Sequence, residues 1–352
     1  MADSRTMRIG ILTAGGDCPG LNAAIRSVGK TAILQYGMEV YGISSGFLGL
    51  IDKEYTILTE KDLSGILTLG GTILGTSREK PFKSDKYNAY IGGKPAIIKE
   101  NYEELGLDCL VCIGGNGTMK TAYKLFQEGL NVIGVPKTID NDVWGTDVSF
   151  GFDSALSIAT EAIDRIHTTA NSHKRIMVIE VMGHHAGWLA LYAGLSGGGD
   201  IILIPEVPYR EDVISEYLKK RAELGKPYSI VVVAEGIATP LAADGETHVS
   251  AARYIAERIQ ELSGFETRET ILGYIQRGGS PSAMDRIIAT RLGSYAAELA
   301  AMQSYGSMVA IKNDEVTTVP LKDVAGRLKT VTPDHPLIKR ARSIGTCFGD
   351  RI

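Results

Sequence analysis

Short apolar runs alternate with longer stretches of helical period along most of this 352-residue chain, and this alternation constrains its fold more than any other feature. The runs at residues 9–12, 110–113 and 230–233 are almost continuously apolar, as expected of strands that are buried on both faces. Strands that alternate with helices form parallel sheets covered by helices. The sequence therefore predicts an α/β protein, and at about 150 residues per domain its length favours two domains.

The alternation assigns elements to most of the chain. We predict strands over residues 8–13, 109–113, 132–135, 175–181, 201–204, 229–234 and 270–275. Helices are predicted over residues 21–36, 119–128, 154–169, 186–195, 213–224, 252–262 and 283–302. Open α/β sheets bind ligands beyond the carboxyl ends of their strands, so the loops that follow the strands should carry the function.

Composition excludes several classes of function. The 37 basic and 41 acidic residues give a net charge of −4, which provides no basic surplus for a nucleic-acid backbone. No apolar run approaches the roughly 20 residues that span a bilayer, and the N-terminus lacks a signal-peptide pattern, so we expect a soluble, cytoplasmic protein. Cys109 and Cys112 have the spacing of a redox pair, but they lie in a predicted buried strand, which favours core thiols.

Two glycine loops each follow a predicted strand and precede a helix. They contain Gly15 and Gly16 in one case and Gly114, Gly115 and Gly117 in the other. This arrangement directs backbone N–H groups and a helix N-terminus at an anion. Neither loop matches the dinucleotide or P-loop fingerprint, and either alone could be a tight turn with positive φ. Their presence together favours a phosphate site.

Two acids follow the strand at residues 132–135. At this strand end the period of two places Thr138, Asp140 and Asp142 on one side, so that two carboxylates share a site. Neighbouring carboxylates raise one pKa, which suits a general base for a sugar hydroxyl. The alternative is an Asx-rich turn that caps the following chain.

Further polar side chains occur singly in the loops. Scattered arginines suggest bidentate clamps for a phosphorylated ligand, although any one alone is more often a solvated charge. Glu235 could accept sugar hydroxyls or could be a helix N-terminal acid. His184 and His185 favour a structural or substrate contact over a metal site, because a third ligand at suitable spacing is missing.

Three segments, residues 12–22, 137–142 and 273–281, together with the order between them, resemble the phosphofructokinase family. The resemblance covers roughly residues 8–308. It implies phosphorylation of fructose 6-phosphate on its 1-hydroxyl to fructose 1,6-bisphosphate in glycolysis. It also implies two Rossmann-like domains with the active site in the cleft between them. We assign residues 1–150 plus 276–325 to the donor-phosphate domain and residues 151–275 plus 326–352 to the sugar-phosphate domain.

The resemblance also implies roles by position. Asp140 corresponds to the catalytic base, with Thr138, Asp142 and Arg78 as its catalytic neighbours. The donor site corresponds to Gly15, Arg78, Gly114, Gly115, Asn116, Gly117, Thr118 and Lys137. The site that binds the sugar phosphate corresponds to Thr138, Asp140, Arg175, Met182, Gly183, His184, Glu235, Arg268, Tyr274 and Arg277. In the family Arg175 and Arg268 come from a neighbouring subunit, which implies an oligomer, a homotetramer or homodimer.

The donor pattern is mixed. Gly117 leaves space for a nucleoside and favours ATP, whereas Lys137 could hold a short inorganic donor, so pyrophosphate is the alternative. The family implies Mg²⁺, for which Asn116 offers only an amide oxygen as a weak ligand. That amide also motivates a more remote alternative, a sugar-phosphate sensor without catalysis. A nicotinamide dehydrogenase on a similar sheet is a further rival that lacks its glycine fingerprint here.

Overall fold

The computed structural model describes residues 5–83, 93–239 and 250–351. The strands are β1 (Arg8–Ala14), β2 (Glu39–Ile43), β3 (Tyr55–Leu58), β4 (Cys109–Gly114), β5 (Val132–Thr138), β6 (Phe150–Gly151), β7 (Ile176–Val181), β8 (Ile201–Leu203), β9 (Ser229–Ala234), β10 (Thr267–Ile271), β11 (Ser307–Lys312) and β12 (Glu315–Pro320). The helices are α1 (Leu21–Tyr36), α2 (Phe47–Asp52), α3 (Gly93–Glu104), α4 (Asn116–Gln127), α5 (Phe152–His173), α6 (Trp188–Ser196), α7 (Glu211–Glu223), α8 (Ala251–Ser263), α9 (Ala283–Ala301), α10 (Leu321–Val324) and α11 (Pro336–Ser343). Short 3₁₀ turns cover Ile66–Thr68 and Gly273–Arg277.

Over its described residues the chain divides into two compact units. The first comprises Met1–Ile139, Val143–Asp153 and Arg277–Leu328. The second comprises Asp140–Asp142, Ser154–Gln276 and Lys329–Ile352. The short segment that holds the predicted catalytic acid therefore packs with the second unit, although the strand before it belongs to the first.

The first unit is built on a mostly parallel sheet of order β12-β11-β5-β4-β1-β2-β3, with β6 paired to β5. Strands β1, β4 and β5 are adjacent and parallel, so their carboxyl ends meet at one edge. Every residue of β4 and β5 is buried, which explains the continuous apolar run of β4 and the apolar start of β5. β5 continues through Pro136, Lys137 and Thr138, beyond its predicted end at residue 135. β3 and β12 run antiparallel at the two sides of this sheet.

The second unit has a parallel sheet of order β10-β7-β9-β8. The central strands β7 and β9 are fully buried, and the carboxyl end of β7 lies beside that of β9 because Val181 pairs with Ala234. The predicted α/β fold with mostly parallel sheets is confirmed by both units. In the described part of the chain, no helix is long and apolar enough to cross a membrane.

The strand predicted over residues 270–275 is wrong in position. β10 covers Thr267–Ile271, and the apolar residues after it enter the 3₁₀ turn. Ile271, Tyr274 and Ile275 are 52%, 74% and 60% exposed. These exposed apolar residues produce the same sequence pattern as a buried strand. β10 lies at the edge of its sheet, where a strand can be largely polar.

Candidate active site

The first glycine loop joins β1 to α1 and is tied to a neighbouring segment. Gly15 has φ +86°, which favours glycine, and its N–H donates to the Ser77 carbonyl at 2.9 Å. Thr76 Oγ1 donates to the Gly15 carbonyl at 2.7 Å. These two bonds hold residues 76–77 on the loop, so the exposed Arg78 is anchored next to it.

The second glycine loop lies beside the first, because Gly114 pairs with Ala14 across β4 and β1. Thr118 Oγ1 donates to the Ala14 carbonyl at 3.3 Å and so joins the two loops. Helix α4 begins at Asn116 and has no side-chain cap, which leaves its first N–H groups to an anion. A Cβ built on Gly117 would meet nothing within 4 Å, so open space lies over this turn.

Lys137 lies at the end of β5 and is only 3% exposed. Its ammonium donates to the carbonyl of Gly16 and, at 3.3 Å, to that of Ala14. A Cβ built on Gly15 would lie 3.9 Å from Nζ. Lys137 therefore stabilises the first glycine loop through its carbonyl oxygens while it adds positive charge at the predicted phosphate site.

Arg277 contacts the same loop within the first unit. Its Nη1 donates to the Asp17 carbonyl at 3.0 Å, and a Cβ built on Gly16 would come within 2.7 Å of that atom. A side chain at position 16 would therefore require the Arg277 guanidinium to move. The sequence assigned Arg277 to the sugar phosphate, and that role stays a prediction.

The chain does not stay extended through the predicted catalytic segment. β5 ends at Thr138, residues 139–140 bend, and Asn141 has φ +51°. The inference that an alternating strand places Thr138, Asp140 and Asp142 on one side is therefore wrong, because the strand ends first. Asn is one of the few residue types that tolerate the left-handed region, and this explains its place in the bend.

In the second unit, Lys329 binds this segment at two points. Its backbone N–H donates to the Asp142 carbonyl at 2.8 Å, and its Nζ donates to Asn141 Oδ1 at 3.0 Å. Asn141 and Asp142 are 5% and 9% exposed. Sequence reasoning missed Lys329, which lies 188 residues beyond Asn141 and carries no local motif.

Glu235 organises the loop that follows β7. Its Oε1 accepts the N–H of His184 at 2.8 Å and that of Gly183 at 3.3 Å. The carboxylate itself is exposed, so it remains accessible to a ligand. Gln276, which is fully buried, accepts the Met182 N–H at 3.4 Å and extends the same cluster at the carboxyl end of the sheet. The exposed carboxylate suits hydroxyl groups, from which it can accept hydrogen bonds, rather than an apolar ligand.

Arg175 and Arg268 lie at the opposite end of the second unit's sheet. Both bind Glu266, at 2.9 Å from Arg175 and 2.5 Å from Arg268, and the bond from Arg175 lowers the pKa of Glu266. Arg175 precedes β7, whereas His184 follows it, and six strand residues span about 20 Å. One chain therefore does not bring these arginines to its own Glu235 cluster. Tyr274, another predicted sugar contact, is 74% exposed.

The two histidines contact each other, and the two spaced cysteines lie in the core. The rings of His184 and His185 contact each other edge to face at 3.9 Å between centroids. Nowhere in the described ranges do three or more His, Cys, Asp or Glu side chains form a group that could hold a metal ion. Cys109 and Cys112 are fully buried, and burial raises the pKa of both thiols, so they are core residues as predicted.

The comparisons with known proteins point to one family. The family described as Phosphofructokinase matches residues 8–300. An ATP-dependent 6-phosphofructokinase 3 from Bacteroides thetaiotaomicron is 61% identical over 97% of this chain and 100% of its own length. An ATP-dependent 6-phosphofructokinase from Spirochaeta thermophila is 58% identical over 99% of each chain. The solved phosphofructokinase from Saccharomyces cerevisiae has a TM-score of 0.79 and 32% identity, covering 91% of this chain and 45% of that one.

Proposed function

Because the chain belongs to the phosphofructokinase family, we propose that it transfers the terminal phosphoryl group of ATP to the 1-hydroxyl of fructose 6-phosphate. The product is fructose 1,6-bisphosphate, and the reaction is a step of glycolysis. The observation that carries the proposal is the pair of joined glycine loops at one sheet edge, with an uncapped helix N-terminus. Phosphoryl transfer needs this kind of positioning and charge stabilisation more than covalent chemistry.

Space at Gly117 supports ATP as the donor. A side chain there would extend over the start of α4, whereas glycine leaves that region open for the rest of a nucleotide. Lys137 is the residue that suggested pyrophosphate, but its ammonium is bonded to the loop carbonyls of Ala14 and Gly16. It has a local structural role that either donor would accommodate.

In the proposed mechanism Asp140 accepts the proton of the 1-hydroxyl as the oxygen attacks the phosphoryl group. Thr138 and Asp142 flank the base in the chain and orient the acceptor. Arg78 and the N–H groups at the start of α4 stabilise the charge on the transferred group. Glu235 accepts hydrogen bonds from the sugar, and Met182, Gly183, His184, Tyr274 and Arg277 complete the proposed acceptor contacts.

Mg²⁺ belongs to this proposal as a companion of the donor. The described residues offer no carboxylate cage, and Asn116 contributes one neutral amide oxygen, so the donor set fits an ion held mainly by phosphates and water. When bound, such an ion neutralises phosphate charge. The protein's own contribution at this point is the backbone of the glycine loops and Lys137.

We further propose that the enzyme works as an oligomer, a homotetramer or homodimer, in the cytoplasm. Arg175 lies about 20 Å from the Glu235 cluster of its own chain, as judged from the length of β7, and Arg268 pairs with Met177 near the same end of the sheet. A second copy that presents these arginines would complete the acceptor site. Size-exclusion chromatography with light scattering measures the assembly directly.

The donor and the base are tested separately. Turnover is assayed with fructose 6-phosphate and either ATP or pyrophosphate, and kcat/KM should be larger with ATP. Asp140→Asn should lower kcat by about 10²- to 10⁴-fold and leave fructose 6-phosphate binding nearly intact. A pyrophosphate preference would overturn the donor assignment, and an active Asp140→Asn enzyme would overturn the base assignment.

A further inference from the structure

Lys329 connects the predicted catalytic segment to the body of the second unit. Its main chain and its side chain bind consecutive residues, Asp142 and Asn141, at 2.8 and 3.0 Å. A two-point contact of this kind fixes orientation as well as position. Asn141 immediately follows Asp140 and has the left-handed φ of +51°, so Asp140 is joined directly to a residue whose side chain is bound by Lys329.

Trp188 fixes Lys329 in turn. The indole Nε1 donates to the Lys329 carbonyl at 2.8 Å, and the Lys329 ammonium lies 5.6 Å from the centre of the indole ring. Trp188 is 8% exposed and packs edge to face against His335 at 5.2 Å. An ammonium over a buried indole is held by a cation–π attraction, which restricts the rotamers of the lysine stem.

Glu206 holds the chain on both sides of this contact. Its Oε1 accepts the N–H of Val331 at 2.9 Å and the N–H of Gly187, just before Trp188, also at 2.9 Å. One carboxylate thus ties the strand-like segment after Lys329 to the start of α6. The result is a continuous network from Glu206 through Trp188 and Lys329 to Asn141.

We propose that Lys329 is a positioning residue for the reaction, acting through Asn141 to hold Asp140 in its reactive orientation. The proposal rests on the role of Asp140 as the base. Asp140 lies in the bend after β5 rather than in a helix or strand, so the Lys329 contacts to the next two residues add rigidity beside it. Displacement of a reacting group by about 1 Å can cost about 10²-fold in rate.

The test is a double-mutant cycle of Lys329→Met and Asn141→Gly. Methionine keeps the apolar stem without the ammonium, and glycine keeps access to the left-handed conformation without the amide oxygen. Each single variant should lower kcat about 10- to 100-fold and change KM for either substrate by less than about threefold. If Lys329 acts through Asn141, the double variant should be no slower than the slower single variant.

Multiplicative losses in the double variant would overturn the proposal, as would a Lys329→Met enzyme with the kcat of the wild type. Lys339→Met, which removes an exposed lysine ten residues further on, is the matched control and should leave kcat unchanged. If Lys329→Met does not fold, Trp188→Phe removes the bond to the Lys329 carbonyl, weakens the cation–π contact and should lower kcat in the same direction; an unchanged kcat there would also refute the network.

Asp140→Asn separates this proposal from the one on which it rests. An inactive Asp140→Asn enzyme together with a fully active Lys329→Met enzyme refutes only the positioning role. An Asp140→Asn enzyme that keeps the wild-type kcat refutes the base itself, whatever Lys329 does. Lys329→Arg, which keeps a cation able to donate to Asn141, should recover part of the kcat lost in Lys329→Met.

Discussion

Gly114 and Gly117 lie three residues apart in one phosphate-site loop, yet the structure predicts opposite effects of adding a methyl group. A Cβ on Gly114 would come 2.1 Å from Oγ1 and 2.5 Å from Cβ of Thr118, which is 5% exposed and cannot swing aside. Overpacking costs about 1–3 kcal/mol, and loss of the Thr118 bond to Ala14 adds about 1 kcal/mol. Gly114→Ala should therefore destabilise the first unit by about 2–4 kcal/mol.

A Cβ on Gly117 meets nothing within 4 Å, and its φ is ordinary for a helix start. Gly117→Ala should be neutral or stabilising by about 0.4–1 kcal/mol, because it reduces the entropy of the unfolded chain. Thermal unfolding at one scan rate compares the pair. For a unit of this size Gly114→Ala should lower Tm by roughly 5–15 °C, and Gly117→Ala should leave it unchanged or raise it slightly. Equal Tm values for the two variants would refute the packing argument.

Three further outcomes follow from the same contacts. Lys137→Met leaves the carbonyls of Ala14 and Gly16 without their donor, so it should lower the free energy of unfolding in urea by about 1–3 kcal/mol and raise KM for ATP. If neither value changes, Lys137 does not stabilise the glycine loop. Arg175→Ala and Arg268→Ala should raise KM for fructose 6-phosphate with little change in kcat, measured by steady-state kinetics. A loss confined to kcat would contradict the proposal that these arginines bind the phosphate of the substrate. Burial raises the pKa of Glu180, so the wild type loses stability as pH rises above the ordinary value of 4.5, and Glu180→Gln should gain stability relative to the wild type over that rise in thermal unfolding. A gain that shrinks as pH rises would contradict this sign.

Buried strands were predictable from the sequence, whereas exposed ones were not. β4, β7 and β9 are buried at every residue, so their sequences are mainly apolar, although β7 contains Glu180 and β9 begins with Ser229. β3 has three exposed residues out of four, and its sequence carries no comparable signal. The error at residues 270–275 has the converse cause, since exposed apolar side chains there matched a pattern that normally reports burial.

The loops that carry the candidate site were predictable because parallel strands end at a common edge. Their internal geometry was not, because it depends on which distant group meets which turn. The sequence shows that Lys137 and Lys329 are cations, but only the fold shows that one donates to glycine-loop carbonyls and the other to Asn141. A strand period also cannot report that the chain bends at residues 139–140.

The positions of Arg175 and Arg268 in the second unit's sheet support the proposal that one chain does not complete the acceptor site. Glu235 and His184 follow the strands, where parallel sheets bind ligands, whereas Arg175 precedes β7, Arg268 lies near the start of β10, and both bind Glu266. The carboxylate of Glu266 balances the positive charge of both guanidinium groups. A phosphate that binds the two arginines must therefore compete with Glu266 for them. Glu266→Gln should therefore release both guanidinium groups and lower KM for fructose 6-phosphate in the assembled enzyme. An increase in KM would mean that Glu266 orients the arginines for the phosphate rather than competing with it.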